Sequence, residues 1–110
     1  MASINFNALL SQLIDAAKIN LVDKWPKVKD IATSSLQTIA QNVVDIEEMT
    51  AMGTITNEQS RLKLQIQENA FRTMLLTEEG LGLLAVEQAL NAVRDIIKTT
   101  VNTAIGFPLL

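Results

Sequence analysis

The stretch from Thr56 to Ala104 constrains the fold more than any other part of the chain. Thr56 and Gln59 stand three apart in a capping-box pattern, in which each side chain satisfies the other residue's backbone N–H. Beyond them apolar residues recur at helical spacing, at Leu62, Ile66, Ala70 and Met74, then at Leu81, Leu84, Ala85, Ala89, Ala92 and Ile96. A helix of about 3.6 residues per turn gathers such a series onto one stripe, whereas a strand scatters it over both faces. No proline interrupts the run, and Gly106-Phe107-Pro108 supplies the glycine, apolar residue and proline that end a helix. Unbroken, a helix over 57–105 is on the order of 70 Å long.

The first half reads as two more amphipathic helices. Over about 5–24, Phe6, Leu9, Leu10, Leu13, Ile14, Ala17 and Leu21 share one face, with Gln12, Asp15, Lys18 and Asn20 opposite. Over about 26–51, Val28, Ile31, Ala32, Leu36, Ile39, Ala40, Val43 and Ile46 do the same. Between them stands Asp23-Lys24-Trp25-Pro26. Proline fits the first turn of a helix but disfavours helical dihedrals at the residue before it, so a joint is expected at Pro26. Gly53, within Met52-Gly53-Thr54-Ile55, is the candidate left-handed residue that ends the second helix.

At 110 residues this is one all-α domain, spanning 1–110. The leading expectation is a long antiparallel hairpin with helices 5–24, 26–51 and 57–105, jointed at Pro26 and oligomerising into a bundle. The alternative is a compact monomeric up-down four-helix bundle with a second break near Thr77–Gly82, where Thr77 is an N-cap and Glu78 and Glu79 suit a first turn. Charge supports an antiparallel register in either case. It would set Glu47 and Glu48 against Arg61, Asp45 against Lys63, Lys29 against Glu79 and Asp15 against Arg94.

Composition excludes whole classes of chemistry. With no histidine, the chain lacks Ser-His-Asp and Cys-His catalysis, zinc sites of the usual kind and a switch in the physiological pH window. With no cysteine, it lacks a disulfide framework. A net charge of −3 speaks against a nucleic-acid partner. Glu47, Glu48, Glu58, Glu68, Glu78, Glu79 and Glu87 invite comparison with di-iron helical bundles, but those sites need Glu-x-x-His pairs. Solvated faces account for these carboxylates, so neither metal nor cofactor is expected, and the chain is not expected to be an enzyme. The N-terminus shows no basic and apolar pattern of a secretory signal, and a cytoplasmic location follows as the expectation.

The remaining features suit association. An elongated hairpin cannot bury stripes this wide by itself, so a homo-oligomer, dimer or tetramer, or an unidentified protein partner is expected. Gly82, Ala85, Ala89 and Ala92 form a small-residue face that permits close helix approach. Trp25, beside Lys18, Lys24, Lys27 and Lys29, and the apolar tail residues Phe107, Leu109 and Leu110 complete the candidate interface. Met49, Met52 and Met74 are gap-fillers or an adaptable surface. These readings predict a small non-enzymatic scaffold, assembly factor or phage-type accessory component. The rival is a membrane-active protein using the first helix and the C-terminal tail.

Overall fold

The computed structural model describes residues 4–77 and 81–105, and it is an all-α bundle. Helix α1 spans Phe6–Leu21, α2 Trp25–Ala51, α3 Asn57–Leu76 and α4 Leu83–Ile105. Of the two expected arrangements, the chain takes the compact one. The radius of gyration is 13.9 Å and the longest dimension 43 Å, against about 13 Å expected for a compact chain of this length. That dimension is the length of α2 alone, about 40 Å at 1.5 Å per residue. A continuous helix over 57–105 does not fit in it.

Each helix begins or ends for a local reason. Asn5 caps α1 by accepting from the Ala8 N–H at 2.9 Å. The capping box is formed at α3, with the Gln59 N–H donating to Thr56 Oγ1 at 3.0 Å and the Thr56 N–H to Gln59 Oε1 at 2.9 Å. At the end of α2, Gly53 takes φ 71°. The Thr54 N–H then reaches the Met49 carbonyl and the Gly53 N–H the Thr50 carbonyl, the paired bonds of a Schellman motif.

The joint between α1 and α2 differs from the expected one. Pro26 sits in the first turn of α2, and Trp25 before it is helical, with φ −53° and ψ −45°. The reversal falls earlier, at Val22, whose φ of 49° and ψ of −113° end α1 before a short 3-10 turn over Val22–Lys24. A β-branched residue rarely adopts such a conformation, which is why the sequence points to proline instead. The second break divides the expected 57–105 helix into α3 and α4. Glu78 and Glu79 lie outside the described residues, as does the stop signal at Gly106-Phe107-Pro108.

The helices run up-down-up-down. α1 packs on α2 and α4, α3 packs on α2 and α4, and α2 also meets α4 across the diagonal. The core holds Leu9, Leu13, Ala17 and Leu21 from α1 and Trp25, Val28, Ala32, Leu36, Ile39, Ala40, Val43 and Ile46 from α2. These are the faces expected from the sequence, with Phe6, Leu10 and Ile14 packed partly against the core and Ile31 exposed. On α3 the buried line is Ser60, Leu64, Phe71 and Leu75, not Leu62, Ile66 and Ala70. On α4 it is Val86, Ala89, Leu90, Val93, Ile97 and Val101, rotated by one residue from the expected stripe.

Charges follow this packing rather than direct it. Arg94 pairs with Glu68 on α3 at 3.1 Å, not with Asp15, and Arg72 pairs with Glu87 at 2.7 Å. Glu47, buried at the far end of α2, accepts the Ile4 N–H on both carboxylate oxygens, at 3.1 and 2.9 Å. An exposed ion pair contributes about 0–1 kcal/mol, and burying one Leu or Phe about 1.5–3 kcal/mol, so apolar fit decides the register.

Two substitutions test these joints. Glu47→Ala strips the Ile4 N–H of its acceptor and is expected to lower stability by about 1–2 kcal/mol in urea unfolding, with Glu47→Gln costing less. Val22→Gly relieves the positive φ and is expected to stabilise the fold by about 1 kcal/mol, read as a Tm higher by several degrees.

Candidate functional site

The expected small-residue interface is used inside the bundle. Ala89 is fully buried in the chain's own core, and Ala85 and Ala92 pack partly against it. Only Gly82 of that set faces open space, where an added Cβ meets nothing within 4 Å. Ala92 and Ile96 of α4 meet Ala16 and Ile19 of α1 along one groove, so the small residues let α1 and α4 approach. Trp25 is 6% exposed and belongs to the core rather than to a partner surface. Phe107, Leu109 and Leu110 lie outside the described residues. The apolar face of α1 is likewise buried, which removes it from contact with lipid in this fold. No described helix is long and apolar enough to cross a membrane.

What the bundle leaves exposed is more informative. Leu62 and Ile66 stand one turn apart on α3 and are 56% and 55% exposed. They face away from the core because Leu64, Phe71 and Leu75 occupy the buried line. Met49 and Ile55 come beside them from the end of α2 and the turn after it. Together with Thr54, Gln59 and Lys63 they line a shallow groove of about 310 Å³. The Schellman motif at Gly53 builds that groove, since it folds Thr54 and Ile55 back alongside Met49. Met52, close by in sequence, is also exposed. The sequence signal for this site was the methionine pair, joined to an apolar stripe on α3 that the core does not need.

A second apolar area lies at the opposite end. The up-down order brings the α1–α2 and α3–α4 reversals to one end of the bundle. Ile19 and Val22 are exposed by the first, and Leu76, Leu83 and Leu84 by the second. Lys18 lines a shallow hollow there with Asp15, Ile19 and Val22.

A third surface is polar. Between α3 and α4 runs a groove of about 420 Å³ lined by Arg61, Leu64, Gln65, Glu68, Asn69, Arg72, Arg94, Ile97 and Lys98. The register expected from the sequence sets Arg61 against Glu47 and Glu48 and Arg94 against Asp15 and does not group these cations, because 61 and 72 are distant from 94 and 98 until the chain reverses between α3 and α4. The hint was spacing: Arg61 and Arg72 are three turns apart on one helix face, and Arg94 and Lys98 one turn apart on another. Among the described residues, no three acidic side chains come close enough together to hold a metal ion.

Comparison of the chain with family models, with curated proteins and with solved structures yields no match.

Proposed function

We propose that this protein is a small non-enzymatic adaptor or scaffold whose activity is helix-to-helix association. Its docking surface on this reading is the α2–α3 groove, and its partner a second copy of the chain presenting the same face. The observation that carries the proposal is the exposed pair Leu62 and Ile66, seated beside Met49 and Ile55. Apolar side chains one turn apart on a helix, next to a groove with methionine in its wall, are what a helix-in-groove contact uses. The surface is self-complementary in kind, because the exposed Leu62 and Ile66 rise as one wall of the same shallow groove that Met49 and Ile55 line. A two-fold dimer would place each ridge in the other's groove.

This docking surface replaces the face of Gly82, Ala85, Ala89 and Ala92, which serves the α1–α4 contact. The argument for association changes with it. In a closed bundle the core is satisfied within one chain, so association rests on the leftover stripe of α3 alone. Interfaces of this kind concentrate their free energy in a few central apolar side chains.

Light scattering coupled to size-exclusion chromatography, run over a concentration series, tests the proposal. The wild-type chain is expected to dimerise or form a dimer-based tetramer. Leu62→Glu combined with Ile66→Glu is expected to weaken self-association by at least about 100-fold while the circular dichroism stays helical. Two large aliphatic side chains contribute about 3 kcal/mol or more when buried, and about 1.4 kcal/mol is tenfold. A wild-type chain that stays monomeric throughout the series, or an oligomer indifferent to the double substitution, would contradict it.

A further inference from the structure

Sulfur chemistry in this chain falls to methionine alone. The sequence holds four methionines, no cysteine and a single tryptophan. That tryptophan, Trp25, is buried in the core. A peroxide in water therefore meets thioethers as its reactive targets, and it reaches them according to their exposure. Met1 lies outside the described residues, which leaves Met49, Met52 and Met74.

These three sit in different surroundings. Met49 is half-buried: it packs partly against the core and lines the α2–α3 groove with Ile55, Leu62 and Ile66. Met52, the C-cap of α2, is 74% exposed. Met74 is half-buried as well, but it lies about 12 Å along α3 from Ile66. Among the described residues, Met49 is thus the oxidisable side chain set in the wall of the apolar groove. A thioether suits that wall because it is apolar and adaptable. Its sulfoxide is polar and chiral, and it resists leaving water for an apolar contact.

We propose that hydrogen peroxide switches off self-association by converting Met49 to its sulfoxide. The inference rests on the dimer proposed above. In the reaction a lone pair of the Met49 sulfur takes one oxygen from the peroxide. The O–O bond breaks, an S–O bond forms, sulfur loses two electrons and the peroxide is reduced to water. A two-fold interface contains Met49 twice, so one kind of lesion strikes it at two places. Pairing covers Met49, so the reaction runs through the free chain and holds the chain in that form. Methionine sulfoxide reductases return the thioether, which makes the switch reversible.

Light scattering on the intact chain before and after hydrogen peroxide, with the oxidised residues located by peptide mass spectrometry, tests this. The untreated chain is expected to dimerise. Conversion of Met49 is expected to weaken self-association about tenfold or more while the circular dichroism stays helical, and reductase treatment restores it. Met49→Leu keeps the apolar bulk, and its association is expected to stay within about twofold after peroxide. Met52→Leu combined with Met74→Leu leaves Met49 as the one described methionine and is expected to stay sensitive. Met49 is expected to oxidise more slowly as chain concentration rises. A dimer that survives full conversion of Met49, a double variant that no longer responds, or a loss that persists in Met49→Leu would overturn this inference and leave the dimer reading in place. So would a rate of Met49 oxidation indifferent to concentration. A chain already monomeric before treatment would overturn both.

Discussion

The structure depends on the apolar face of α2. Over its 27 residues this helix buries Trp25, Val28, Ala32, Leu36, Ile39, Ala40, Val43 and Ile46, a line running from its first residue almost to its last turn. One neighbouring helix covers only part of such a face, because two cylinders about 10 Å apart touch along a single seam. α2 accordingly meets all three others, as does α4. The reversals at Val22 and beyond Leu76 follow from this requirement. Each brings another apolar stripe back onto α2 and removes it from water at a cost in backbone strain or loop closure that the burial outweighs.

Local chemistry was legible in the sequence, and tertiary choices were not. The capping box at Thr56 and Gln59, the left-handed Gly53 and the stripes of α1 and α2 each depend on residues within a few positions of one another, and each appears as read. The face of α3 was misread because Leu62 and Ile66 are as apolar as Leu64 and Leu75. Spacing alone does not say which line meets the core, and Phe71, the bulkiest side chain of that helix, settles it for its own side. The break between α3 and α4 lacks any stop signal before Thr77, since Met74-Leu75-Leu76 continues the helical pattern. It brings the apolar stripe of α4 onto α1, α3 and α2 together. The joint at Val22 was hidden for the opposite reason: proline is a strong local signal, and a β-branched residue at positive φ is not a signal at all.

The candidate surfaces belong to α3 more than to any other helix. Its two sides differ, with Leu62 and Ile66 toward the end of α2, and Arg61 and Arg72 toward α4. Only Ser60, Leu64, Phe71 and Leu75 anchor it fully in the core, against nine buried residues on α2. Helices held by few buried side chains are the ones that open most readily. A helix so placed can present an apolar ridge and a cationic groove without disturbing the packing of α1, α2 and α4. The arginine cluster was invisible in the sequence for the same reason as the break, since it exists only once α3 and α4 are folded against each other.

The central claim, that α1 folds back along α2, is tested most directly by one intramolecular distance. The chain has no cysteine, so Ala8→Cys with Glu48→Cys gives two unique sites for spin labels at exposed positions of α1 and α2. Pulsed electron resonance on labelled chains diluted with unlabelled protein reads the distance within one molecule. Since Ile4 lies against Glu47, the account predicts a separation below about 25 Å, and a helix continuous from α1 into α2 would place the labels about 60 Å apart. The longer distance would contradict the bundle.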